Sequence, residues 1–184
     1  SADAFGVLPA IARLTRDQAI YHFLSGYTAR VADTERGIKE PTPVFSACYG
    51  APFMPLHPLR YAELLGKKLD RHGSQVWLIN TGWTGGSCST GKRIPLPLTR
   101  SMVRAVLDGS LDDVPTEQEA FFGLHVPLSC PGVSAETLNP RAAWRRKQEY
   151  DRQARRLAGM FAENFKQFAA KAGRAVQTSG PPGT

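Results

Sequence analysis

A continuous apolar run, Val76-Trp77-Leu78-Ile79, leads directly into the segment Asn80-Thr81-Gly82-Trp83-Thr84-Gly85-Gly86-Ser87-Cys88-Ser89-Thr90-Gly91-Lys92-Arg93-Ile94. Four consecutive apolar residues bounded by turn formers read as a short strand covered on both faces. A helical pattern through Met102, Val103, Val106 and Leu107 opens near Thr99 and ends at Asp108-Gly109. Strand, glycine-rich loop and helix in succession point to an α/β fold. Hydroxyl and basic side chains between strand and helix suggest a place for an anion.

Residues 86–92 fit the first seven positions of the phosphate loop Gly-x-x-x-x-Gly-Lys. The next position should carry a hydroxyl that ligates magnesium, and a helix should start at the lysine so that its N–H groups face phosphate. Arg93 stands at the hydroxyl position, and Pro95 and Pro97 prevent a helix from running out of Gly91-Lys92. The segment is therefore not read as a phosphate cradle. Arg93 is a planar cation able to lie against an aromatic base or fork a phosphate. Thr99 can N-cap the following helix, present its hydroxyl to a ligand, or do both in different states. The competing reading is a tight strand-to-helix connection with solvated basic residues.

Upstream, the first fourteen residues read as a loop. Thr15-Arg16-Asp17-Gln18 fits a capping box, and Ile20, Phe23, Leu24 and Tyr27 follow at helical spacing. A strand is expected at residues 44–49, then a helix from Pro58 with the apolar stripe Tyr61, Leu64, Leu65 and Leu69 and with Gly73 past its end. Joined to residues 76–79, these elements predict a strand-helix-strand unit with a parallel pair. Residues 30–43 lack periodicity, and Pro41 and Pro43 hold their exit extended. Their Thr, Glu, Arg and Lys side chains suit a mobile cover over a charged ligand or a plain surface excursion. Residues 110–139 are irregular, with an extended edge expected at 121–126. A long helical pattern starts at Pro140, its core stripe being Tyr150, Ala154, Leu157, Phe161, Phe165 and Phe168. Residues 173–184 are expected to form a disordered tail.

A chain of 184 residues suits one domain. No run approaches the ~18 apolar residues of a membrane helix. Ser1-Ala2-Asp3-Ala4-Phe5 has neither a basic leader nor an initiator methionine, so a processed product or a fragment is expected. Cys48, Cys88 and Cys130 are odd in number and far apart, which gives no disulfide framework and no zinc pair and suggests a reducing, cytoplasmic compartment. His22 and Cys48 are expected to be packed, and His57, His72 and His125 have no metal-ligand spacing. The net charge of +7 is local: between Arg141 and Arg156 lie seven basic residues and two acids. A solvated helix face is the plain reading of that run, and a nucleic-acid patch is the alternative.

Several motifs together resemble the ATP-dependent phosphoenolpyruvate carboxykinases. They are Tyr21-His22-Phe23-Leu24-Ser25-Gly26-Tyr27-Thr28-Ala29, Thr34-Glu35-Arg36-Gly37, Glu40-Pro41-Thr42-Pro43-Val44-Phe45-Ser46-Ala47-Cys48, Asn80-Thr81-Gly82-Trp83-Thr84-Gly85-Gly86 and Gly91-Lys92-Arg93-Ile94. The helix after Thr99-Arg100, with Leu107-Asp108-Gly109-Ser110-Leu111 at its end, continues the likeness, which runs from about Ser1 into the long C-terminal helix. The resemblance implies the C-terminal part of a mononucleotide-binding domain over residues 1–172, an α/β fold with a mixed sheet, flanking helices and a long C-terminal helix. It implies conversion of oxaloacetate and ATP to phosphoenolpyruvate, ADP and carbon dioxide in gluconeogenesis. ATP would come with Mg2+, and a second divalent ion, Mn2+, would be used.

By the same resemblance, Arg93 and Ile94 contact the nucleotide near its adenine and ribose end, Thr99 meets the base, and residues 30–44 form the active-site lid. The phosphate loop, metal ligands and oxaloacetate-binding arginine are expected upstream, leaving no catalytic and no metal-binding residue in this chain, and the isolated piece is expected to be inactive. Asp33 stands where the family often has glycine, which bears on lid hinging, and residues 86–90 fall where the family varies. No nucleic acid and no membrane are implied. The competing functional readings are a nucleotide-binding module without turnover and a basic nucleic-acid-binding domain.

Overall fold

The computed structural model describes residues 1–30 and 41–182. Most of the expected lid, residues 31–40, lies outside the described residues. In chain order the elements are β1 (Ile11–Leu14), α1 (Arg16–Ser25), β2 (Tyr27–Arg30), β3 (Thr42–Phe45), α2 (Pro58–His72), β4 (Val76–Ile79), β5 (Trp83–Thr84), β6 (Lys92–Arg93), α3 (Leu96–Leu107), β7 (Thr116–Gln118), β8 (His125–Pro127), α4 (Ala135–Leu138), α5 (Pro140–Ala143), α6 (Lys147–Ala169) and α7 (Arg174–Gln177). Helices flank a four-stranded sheet, and a long helix lies toward the C-terminus, as expected for the class.

The sheet order is β4-β1-β8-β7, and each of its ladders is antiparallel. Ile11 pairs with Ile79 and Leu14 with Val76. The two strands share alternating side chains between two cores. Ala12, Leu14, Val76 and Leu78 face one cluster with α1 and α6, while Ile11, Trp77 and Ile79 face another with Met102 and Ala105 of α3. The run at residues 76–79 is therefore covered on both faces, as its composition predicts.

The expected parallel pair does not form. β3 joins β2 in a separate antiparallel ribbon, and β4 pairs instead with β1. Strand 44–49 is cut short because the chain leaves β3 through Cys48 and Tyr49, both left-handed, with φ of 56° and 58°. Two consecutive non-glycine residues in that region end an extended run. Of the first fourteen residues, expected to be a loop, residues 1–10 form no helix or strand, whereas Ile11–Leu14 form β1. Residues 3–12 are buried throughout and finish in β1.

Local signals elsewhere act as expected. Thr15 Oγ1 accepts the Gln18 N–H at 3.2 Å, and Gln18 Oε1 accepts the Thr15 N–H at 3.0 Å. The Gln18 amide continues to the Gly123 carbonyl at 2.8 Å. Replacing Thr15 with alanine should cost about 1 kcal/mol in a thermal or urea melt; an unchanged midpoint would show that the box does not hold the helix. Gly73 follows α2 with φ 59°. Tyr27, by contrast, leaves the helix at left-handed Gly26 and opens β2. The face of α2 turned inward centres on Ala62 and Gly66; of the expected stripe, Tyr61, Leu65 and Leu69 are half-buried beside them, Leu69 against the main core, and Leu64 is 44% exposed. A side chain at Gly66 would press on Arg16 and Ile20, so small residues let α1 and α2 approach.

The long helical pattern is broken at residues 144–146, where Trp144 and Arg146 are extended, and α6 begins at Lys147. Its six predicted core residues are all buried. The tail expected to be disordered contains α7, with Val176 buried in the main core and Gly180 against the Tyr21 ring. One apolar residue per turn is too weak a pattern to announce such a helix.

Candidate functional site

The loop after β4 is built on the N-terminal segment. Asn80 is fully buried. Its N–H donates to Ala10 O at 2.8 Å, and its side-chain amide donates to Leu8 O at 3.1 Å. Asn80 Oδ1 accepts two N–H groups, from Asp3 at 3.0 Å and Gly82 at 2.8 Å. Thr81 N–H reaches Ser1 O, Trp83 N–H reaches Asp3 O and Cys88 N–H reaches Ala4 O. Residues 1–4 thus run beside residues 80–88 as a backing strip. Trp144 Nε1 and the Tyr150 hydroxyl donate to Gly6 O and Val7 O and fix the strip from the α5–α6 side.

Beneath this strip sits the Asp3 carboxylate, fully buried. Oδ1 accepts from Phe5 N–H at 2.8 Å and the Tyr27 hydroxyl at 2.7 Å, while Oδ2 accepts from Val7 N–H at 2.6 Å and Leu8 N–H at 2.8 Å. Burial pushes its pKa up, and the four donors oppose that shift.

The segment resembling a phosphate loop closes on itself. Thr90 and Gly91 N–H groups both donate to Ser87 O, at 3.0 and 2.6 Å. A side chain at Gly91 would sit 2.3 Å from Gly86 O. Amide groups consumed in this way cannot cradle phosphate, and Lys92 enters a strand rather than a helix. Both structural supports of a phosphate loop are missing, in agreement with the sequence.

β5 and β6, which no sequence pattern announced, form a short ladder with Trp83 opposite Arg93. Arg93 is exposed, its guanidinium carbon 5.5 Å from the centre of the Trp83 ring, and Nε donates to Thr81 O at 3.4 Å. A cation held over an indole keeps a defined position at the surface. Ile94 N–H donates to Gly82 O at 2.8 Å, and its side chain is buried with Met102, Ala105 and Leu111. Its side chain therefore anchors the ladder to the core. Thr99 is half-buried in the first turns of α3, its N–H donating to Pro95 O at 3.2 Å. It is not the N-cap: α3 starts at Leu96, with Pro97 accommodated in the first turn. Thr99 lines a shallow groove of about 480 Å³ with Arg100, Val103, Arg104, Leu107 and Asp108. The three expected residues thus belong to one continuous connection from β6 into α3, but Arg93 is not part of that groove.

His22, Cys48 and Cys130 are packed inside the fold. His22 is buried among Tyr21 and Phe161, and loss of solvent lowers its pKa to about 4. Burial raises the Cys48 and Cys130 thiols. Among the described residues no three His, Cys, Asp or Glu side chains converge to hold a metal ion. No helix is long and apolar enough to cross a membrane among the described residues.

Much of the basic run has partners. Arg141 bonds Asp151, Arg146 bonds Glu149, and Lys147 Nζ caps the carbonyls of Arg141, Ala142 and Trp144. Arg155 and Arg156 lie over the Phe121 and Phe5 rings. Charges engaged in this way make a poor phosphate-binding face, and the nucleic-acid reading is not favoured.

The described residues form an α/β scaffold that displays a planar cation, Arg93, at the end of a strand. The model of the phosphoenolpyruvate carboxykinase family matches residues 1–136, and the chain belongs to that family. It is 57% identical over 182 residues to the phosphoenolpyruvate carboxykinase (ATP) of Lysinibacillus sphaericus, covering 99% of this chain and 34% of that protein. The enzyme of the same name from Thermus thermophilus is 55% identical over 181 residues, 98% of this chain and 34% of that protein. Phosphoenolpyruvate carboxykinase (ATP) 2 of Moorella thermoacetica is 58% identical over 168 residues, 91% of this chain and 32% of that protein. The chain spans about a third of the length of these relatives.

Proposed function

We propose that this chain is the C-terminal part of a cytoplasmic, ATP-dependent phosphoenolpyruvate carboxykinase, converting oxaloacetate and ATP to phosphoenolpyruvate, ADP and carbon dioxide. Its own task is to form the adenine-side wall. The observation that carries this reading is the exposed Arg93 guanidinium, held over Trp83 and bonded to the Thr81 carbonyl. A planar cation in that setting suits the face of a base or a ribose-side oxygen. Ile94 contributes through its backbone and Thr99 through its hydroxyl.

ATP supplies the phosphoryl group when bound. This chain binds and orients the nucleotide at the end remote from the reacting phosphate, which keeps the transfer geometry in register. Mg2+ and a second divalent ion, Mn2+, belong with the rest of the enzyme. Residues 30–44 act as the lid, excluding water from a reactive enolate. Cys48 and Cys130, free thiols in buried positions, are compatible with a reducing compartment.

Changing Arg93 to alanine in the full-length protein tests the reading. KM for ATP should rise about tenfold while KM for oxaloacetate stays within about twofold, the loss of one oriented cation contact. An unchanged ATP dependence would remove Arg93 from the site.

A further inference from the structure

Asp3 is a buried carboxylate that the proposed reaction leaves without a role. Four donors converge on it, and its own backbone joins the wall loop at two points, through Asn80 Oδ1 and through the Trp83 N–H. Both points lie on the segment whose carbonyls hold the wall: Thr81 O takes Arg93 Nε, and Gly82 O takes the Ile94 N–H. The path from carboxylate to guanidinium is therefore short: covalent links within Asp3 and along Asn80–Thr81 are joined by two hydrogen bonds, Asp3 N–H to Asn80 Oδ1 and Arg93 Nε to Thr81 O. On its other side Asp3 holds Tyr27, the first residue of β2.

We infer that Asp3 is a positioning residue for the nucleotide wall, setting the Asn80–Trp83 backbone on which Arg93 and Ile94 rest. This rests on the reading of Arg93 and Ile94 as nucleotide-side residues. The carboxylate gathers the N–H groups of Phe5, Val7 and Leu8 into one turn, and that turn presents the Asp3 backbone to the loop. An asparagine cannot replace it. One of its two terminal atoms would be a donor, facing at least one backbone N–H that has lost its acceptor.

The test is titration calorimetry on the full-length protein, with a non-hydrolysable ATP analogue in one series and oxalate in another. It compares wild type, Asp3→Asn, Tyr27→Phe and Arg93→Ala. Asp3→Asn is expected to raise the Kd for the ATP analogue about fivefold or more, with oxalate affinity within about twofold. A merely structural role would lower the fraction of competent protein and hence the stoichiometry, leaving the Kd of the surviving molecules unchanged. Tyr27→Phe removes a single donor and keeps the ring, so it serves if Asp3→Asn does not fold; it should shift the ATP-analogue Kd in the same direction by about threefold. Weakening by Arg93→Ala with an unchanged Kd in the Asp3 or Tyr27 variant overturns the positioning role alone. An unchanged Kd in Arg93→Ala overturns the underlying reading, and the positioning role with it.

Discussion

Replacing Phe161 with alanine is expected to lower the stability of the fold by about 3–5 kcal/mol. The side chain is fully buried in α6, and its ring lies 5.2 Å from those of Tyr27 and Phe45, 5.3 Å from His22 and 6.3 Å from Tyr21 and Phe122. These neighbours come from α1, β2, β3 and the loop before β8. Four separately anchored segments cannot all close on one vacancy, so the cavity term adds to the lost transfer energy. Because β2 and β3 flank residues 31–40, loosening should reach the proposed lid as well. A urea melt is the check. Phe161→Leu, which keeps most of the volume, should cost less than about 1.5 kcal/mol. A loss near that value for alanine as well would mean that the aromatic cluster repacks freely.

Gly6→Ala carries the second large effect, about 2–5 kcal/mol, from a left-handed backbone worth roughly 1–3 and an overpacked contact worth about as much again. Gly6 has φ 70°, and a side chain there would lie 1.9 Å from the Gly86 carbonyl oxygen. Relief requires pulling the backing strip away from the wall loop, since the contact is backbone against backbone. Affinity for ATP should therefore fall together with stability. Gly73→Ala supplies the comparison. Its φ is 59°, but nothing lies within 4 Å, so only the backbone term applies, roughly 1–2 kcal/mol. Equal losses at the two positions would show that the Gly6–Gly86 approach contributes nothing.

How far the chain could be read depended on how local each feature's cause is. Thr15 and Gln18 cap a helix through bonds three residues apart, and the α6 stripe repeats with the helix itself, so both were visible. The failed phosphate loop was equally legible, because Arg93, Pro95 and Pro97 forbid it by their chemistry alone. The N-terminal loop gives no sign of its burial because its polar groups are satisfied from far away. Asp3 meets Tyr27 and Asn80, Gly6 meets Trp144 and Val7 meets Tyr150, the last pair 143 positions apart. No window along the chain contains both partners. The pairing of β4 was missed for a related reason: an apolar run states that both faces are covered, but it carries no sign of strand direction.

For the candidate site the division is similar. Arg93, Ile94 and Thr99 were named from residue type and resemblance, and the structure assigns them different tasks. Arg93 is displayed over Trp83, Ile94 is turned into the core, and Thr99 stands inside α3 rather than at its cap. By itself the sequence determined the capped start of α1, the end of α2 at Gly73, the buried stripe of α6, the two-sided strand and the absence of a phosphate cradle at residues 86–92, since each follows from backbone geometry and neighbouring side chains. Only the tertiary structure decided which strand β4 joins, that residues 3–8 are interior, and where Arg93 points. Those depend on hydrogen bonds and packing between segments far apart in the chain, whose partners meet only once the whole fold has closed.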